Sequence, residues 1–140
     1  MYAWVCTKPE IAYVVGMLDR DQDNPGLDHR RAAKKVMRYV QGTKYYKLTY
    51  SHSDHLEVIE YSETDFVGCP GSRKSTSGYV FLLAGTTISW RSAKQFLVAT
   101  STTEAKFVSC FEATSQAMWL RRFIFGLGVV DSISKPLRIY

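Results

Sequence analysis

Four carboxylates stand where they could do chemistry: Glu60, Glu63 and Asp65 within "VIEYSETDFVGC", and Glu104 within "ATSTTEAKF". Carboxylates gathered at one place suit a hard divalent cation such as Mg²⁺. Two such ions about 3.5–4 Å apart can activate water and stabilise a leaving oxygen in phosphodiester cleavage. Each acid also has a local reading. Ser101-Thr102-Thr103-Glu104 is a capping box at a helix start, Asp65 can open a turn toward Gly68, and Glu60 can face solvent. Spacing alone favours these local readings.

A second kind of chemistry is basic. "LDHRRAAKKVMRYVQGT" places Ala33, Val36, Met37 and Val40 on one helical face, with Gly42 as a terminating glycine. Arg31, Lys34, Lys35 and Arg38 recur on the opposite face at i, i+3, i+4 and i+7. That ridge is either a solvated face or a set of phosphate contacts, and Arg73 and Lys74 in "CPGSRKSTSG" could join it. Residues 1–50 carry nine Lys and Arg against five Asp and Glu, and residues 51–140 carry nine against eight, so the basic excess lies early. His52 and His55 stand three apart in a polar stretch but lack a third ligand of fixed position. Three scattered cysteines, Cys6, Cys69 and Cys110, form neither a disulfide framework nor a zinc motif and suit a reducing compartment.

The elements that must position these residues follow from periodicity. "KPEIAYVVGML" reads as a helix opened by Pro9, and the polar run "DRDQDNPG" separates it from the basic helix. From Tyr45 the period becomes two. "YKLTYS" and "LEVIEYSE" are expected to pair around "SHSDH", and "YVFLLAG" with "TTISWRS" around Ala84-Gly85. "FLVATS" reads as a further short strand, "STTEAKFVSCFEATSQAMWLRRFIFGLG" as a long helix, and "KPLRIY" as a last strand parallel to the first long one. The expected class is α/β with a mixed sheet, and at 46% hydrophobic residues the chain can build a core. No apolar run approaches the ~18 residues that span a bilayer, and the N-terminus lacks the pattern of a signal peptide.

"YSETDFVGC", "SRKSTSGYVFLLAGTTISWRSAKQ", "ATSTTEAKF" and "MWLRRF" together resemble the RNase H domain of copia-type LTR retrotransposon polyproteins. "CTKPEIAYVVG", "NPG" and "AAKKVMRYVQGTKYYKLTYS" resemble the segment that joins reverse transcriptase to that domain. The likeness implies residues 1–44 as a helical remnant of the connection and 45–140 as a ribonuclease H-like domain, truncated at its C-terminus. The implied family activity is Mg²⁺-dependent cleavage of RNA in an RNA–DNA hybrid, read through shape and backbone.

Residue by residue, the resemblance places family metal positions at Glu63, where the family carries aspartate, and at Glu104. Asp65 matches a second acid often found in the same motif. A third aspartate belongs to a Cys-Asp-Asn expected after Tyr140. Glu63 is one methylene too long, and a misplacement of ~1 Å can cost about a hundredfold in rate. Glu60 stands where the family commonly has glycine, Lys106 where it has an acid, and charge in "DRDQDNPG" where it has an apolar residue, which weakens packing of the first two helices. The expectation is therefore a catalytically incomplete fragment with no cofactor, or Mg²⁺ if activity is retained. An active RNase H would need a longer parent chain. Binding to an RNA–DNA hybrid or other nucleic acid, or to host or cellular proteins, is the remaining role, with no membrane partner. The expected location is cytoplasm or nucleus. A secreted pathogen effector acting inside host cells is the alternative, although no Arg-x-Leu-Arg motif occurs. Without the family's later elements, apolar surface on the helix over 102–127 would stay open and promote association.

Overall fold

In the computed structural model, Pro9 opens a 3-10 turn, Pro9–Ile11, that runs into α1 (Ala12–Asp19). The structure describes residues 6–19, 24–53, 56–69, 72–128 and 138–140. They fall into two units, Met1–Thr49 and Tyr50–Tyr140. In the first, α2 (Leu27–Gly42) packs on α1 through Ile11, Val15 and Val36, with Leu18 and Val40 at the margin. Met37, expected on the apolar face, is exposed. The helix extends through Gly42 rather than stopping before it. Thr43 closes it, donating from its backbone N–H (2.9 Å) and from Oγ1 (2.8 Å) to the Tyr39 carbonyl. Two long-range bonds clasp the pair. His29 donates from Nε2 to the Leu18 carbonyl at 2.8 Å, and Lys8 Nζ to the Thr43 carbonyl at 3.0 Å. The charges expected to weaken this packing lie largely in Arg20–Asp23, outside the described residues.

Among the described residues, the second unit is a four-stranded mixed sheet crossed by one helix. Its strands are β1 (Val58–Cys69), β2 (Lys74–Leu83), β3 (Thr86–Lys94) and β4 (Arg138–Ile139), in the order β3-β2-β1-β4. β1 with β2 and β2 with β3 are antiparallel, while β4 lies parallel to β1, as the sequence pattern predicts. The β2–β3 hairpin turns at Ala84 (φ 50°) and Gly85 (φ 77°), the pair of positive φ values that matches strand twist in a two-residue loop. α3 (Thr102–Gly126) begins at the N-cap Ser101, whose Oγ accepts from the Glu104 N–H at 3.1 Å.

Several expected elements differ. Residues 45–51 and 96–101 form no strand, and the hairpin predicted around "SHSDH" is absent from the described residues; Asp54 and His55 lie outside them. Lys74–Gly78, expected as loop, belongs to β2. Alternation alone cannot make a strand, because the ladder needs a neighbour on which to pair. Tyr45, Tyr50 and Phe96 are exposed, so their apolar side chains find no buried face. β1 meanwhile runs past Asp65, where its register with β2 slips before Cys69 and Val67 adopts φ 55°.

α3 covers the sheet in two chemically distinct halves. Ala113, Ala117, Leu120 and Ile124 pack on Val58, Tyr79 and Phe81, and the Tyr79 and Phe81 rings meet edge to face at 5.4 Å. Toward its N-terminus, beside the buried Ala105 and Val108, polar contacts join the apolar ones. Gln95 donates from Nε2 to Ser77 Oγ and to the Ala105 carbonyl, both at 2.8 Å. Thr64 Oγ1 donates to the Ala105 carbonyl at 3.3 Å, and Ser109 Oγ to the Glu63 carbonyl at 3.0 Å.

Candidate functional site

Strand parity decides where the acids point. Val58 and Thr64 contact α3, so Val58, Glu60, Ser62 and Thr64 share the face beneath the helix. Glu63 and Asp65 are exposed on the opposite face, where Tyr61 also stacks on Tyr140 at 5.5 Å. The two acids share a face, as the sequence predicts. Asp65 lies folded over Gly68, and a side chain at that glycine would collide with its carboxylate.

Glu104 sits in the first turn of α3, and its carboxylate is engaged there. Oε2 accepts from the Thr100 N–H at 2.6 Å and from Thr100 Oγ1 at 2.7 Å. These bonds, the backbone one foremost, hold its carboxyl below the usual carboxylate range. The capping box read from the sequence therefore forms, with the reciprocal bond moved one residue back to Thr100. Among the described residues no three of His, Cys, Asp and Glu come together as metal ligands. The His52–His55 pair falls partly outside those residues.

Glu60 is where the sequence misleads. It does not face solvent but is fully buried between β1 and α3, opposite Phe81 in the register. Neither carboxylate oxygen has a hydrogen-bond partner among the described residues. Burial disfavours the charged form and raises its pKa from the usual 4.5 to about 7. The sequence carries the linkage between these positions but not the choice of face. If Glu63 is outside and Val58 inside, period two forces Glu60 inside as well.

The basic residues divide between the units. Arg31, Lys34, Lys35 and Arg38 are all exposed on α2, and Arg31 pairs with Asp28 at 3.1 Å on the open surface. That ion pair adds little stability but partly neutralises the ridge. In the second unit Arg73 is exposed at a positive φ of 52°, whereas Lys74 Nζ donates to the Phe96 carbonyl at 2.6 Å. Lys74 thus ties down the segment after β3. No helix among the described residues is long and apolar enough to cross a membrane.

The chain is 42% identical over 129 residues to the retrovirus-related Pol polyprotein of transposon TNT 1-94 from Nicotiana tabacum, covering 92% of this chain and 10% of that protein. It is 34% identical over 134 residues to the Pol polyprotein of transposon RE2 from Arabidopsis thaliana, covering 96% of this chain and 9% of the relative. It is also 42% identical over 120 residues to the secreted RxLR effector protein 161 of Plasmopara viticola, covering 86% of this chain and 84% of that protein. The chain is thus similar to one segment of the retrovirus-related transposon Pol polyproteins. The chain spans about a tenth of the curated polyproteins it matches and most of the Plasmopara viticola relative. No family model matches it, and no solved structure does.

Proposed function

We propose that this chain is a copia-type, RNase H-like fragment without nuclease activity, which acts by binding. The observation that carries the reading is the separation of its acids. Glu63 and Asp65 project from the sheet face away from α3, while Glu104 spends its carboxylate on Thr100 at the helix cap. Mg²⁺ demands near-octahedral oxygen ligands at ~2.0–2.1 Å, and this arrangement does not fit one ion shared among the three. The extra methylene of Glu63 and the engaged Glu104 work in the same direction.

The test is cleavage of an RNA–DNA hybrid in Mg²⁺ and in Mn²⁺, with binding to the same hybrid read at two salt concentrations. The expected result is no metal-dependent cleavage. Weak binding through Arg31, Lys34, Lys35 and Arg38 would fall with a slope of about −3 to −4 in log Kobs against log salt, from roughly four phosphate contacts. The double variant Lys34→Glu, Lys35→Glu is expected to abolish it. Cleavage that Glu104→Ala removes would overturn the proposal. Cleavage that appears only in a longer chain carrying Cys-Asp-Asn after Tyr140 would assign the activity to the parent polyprotein.

A second reading is favoured by the Plasmopara viticola relative, which the match spans over 84% of its length and whose name describes a secreted effector. On that reading this chain is a non-enzymatic interaction protein, secreted and then located inside a host cell. Silence in both cleavage and hybrid binding supports it and directs the search to protein partners.

A further inference from the structure

α3 is apolar on both sides. Its inner side meets the sheet, but Phe107, Phe111, Met118 and Phe125 lie on the outer side and are more than half exposed, Phe107 at 72% and Phe125 at 75%. A helix apolar all round is ordinarily buried all round. Including the exposed Thr114 and Arg121, the outer row runs 107, 111, 114, 118, 121, 125. Its spacing of four, three, four, three, four is that of a coiled-coil seam, and it extends for ~27 Å along the helix.

The row is complementary to itself when reversed. A two-fold axis at residue 116 brings Phe107 opposite Phe125, Phe111 opposite Arg121, and Thr114 opposite Met118. All six positions are matched. Phe–Phe contacts close the two ends, and the small Thr114 beside Met118 lets the helices approach at the centre. Arg121 comes over the Phe111 ring, a cation–π geometry that strengthens as water is excluded. Parallel pairing would instead set Arg121 against Arg121. Isologous contacts of this kind are how most homodimers close.

We infer that the outer face of α3 is a homodimer interface, in which two copies of this chain pair antiparallel about residue 116. This goes beyond the binding role proposed above and does not depend on it.

Sedimentation of the full chain over a concentration series tests the inference, with a thiol reductant present because Cys110 is exposed on the same helix. The expected result is a reversible monomer–dimer equilibrium. Phe107→Glu and Phe125→Lys should each weaken it at least tenfold. Because both side chains are exposed, each variant should keep the wild-type helix content and urea midpoint. The double variant Phe107→Glu, Phe125→Lys should regain dimerisation, because each glutamate then faces the other copy's lysine. In a parallel dimer the same change would set like charges together. A monomer at all concentrations, open-ended aggregation without a discrete dimer, or a folded double variant that stays monomeric would each overturn it.

Discussion

Glu60→Gln should stabilise the sheet unit at pH 8 and flatten its dependence on pH. In the parent protein the Glu60 carboxyl, usually at 4.5, titrates at about 7 in the fold because burial penalises its charge. The folded state therefore binds a proton that the unfolded chain has already released. Stability from this group is complete below pH 4.5 and is lost as pH rises through about 7. The shift corresponds to a ceiling of about 3 kcal/mol, since solvent screening can only subtract from it. Glutamine keeps the shape of the protonated acid without its titration. Urea unfolding at pH 5 and at pH 8 reads the difference. Parent and variant should lie within about 1 kcal/mol of each other at pH 5 and separate by up to ~3 kcal/mol at pH 8. A parent midpoint that rises between those pH values would refute the account.

Phe81→Ala is expected to remove a large part of that unit's stability at 25 °C. Phe81 is fully buried at the centre of the contact between sheet and helix, touching the cluster of Val58, Tyr79, Ala113 and Leu120. Truncating a buried Phe costs ~3–5 kcal/mol, against a total near 5–15 kcal/mol for a domain. The effect should depend on pH. Phe81 is the cross-strand neighbour of Glu60, so the space it leaves admits water to the carboxyl and lowers the cost of charging it. The variant should thus lose less stability than the parent on going from pH 5 to pH 8, which a four-way cycle with Glu60→Gln would measure as a coupling between the two sites. A variant with the parent's urea midpoint would show that the core closes without the ring.

The helices were legible because their signals are local. Val36 and Val40 recur at helical spacing, and Ser101 with Glu104 announces the start of α3. The β2–β3 hairpin was equally plain from Ala84-Gly85, since a tight turn carries its own residue requirements. What escaped the sequence is what depends on a neighbour. "YKLTYS" and "FLVATS" have the composition of strands but, among the described residues, no strand beside them. Val58 and Ile59 are both apolar, so the faces of β1 could be read either way, and only α3 chooses between them. That choice buries Glu60 and turns Glu63 and Asp65 outward. For Glu104 the local reading, a helix cap, describes the bonds that its carboxylate makes.

The helix α3 is fastened by two materials that respond differently to cold. Apolar contact, which holds Ala113 through Ile124 to Val58, Tyr79 and Phe81, weakens on cooling because its driving force near room temperature is entropic. The hydrogen bonds from Gln95, Thr64 and Ser109 at the other end have no such dependence. Chilled toward freezing, the helix should come loose from its C-terminal half while its first turns stay seated, a hinge whose position is set by temperature rather than by any glycine or proline.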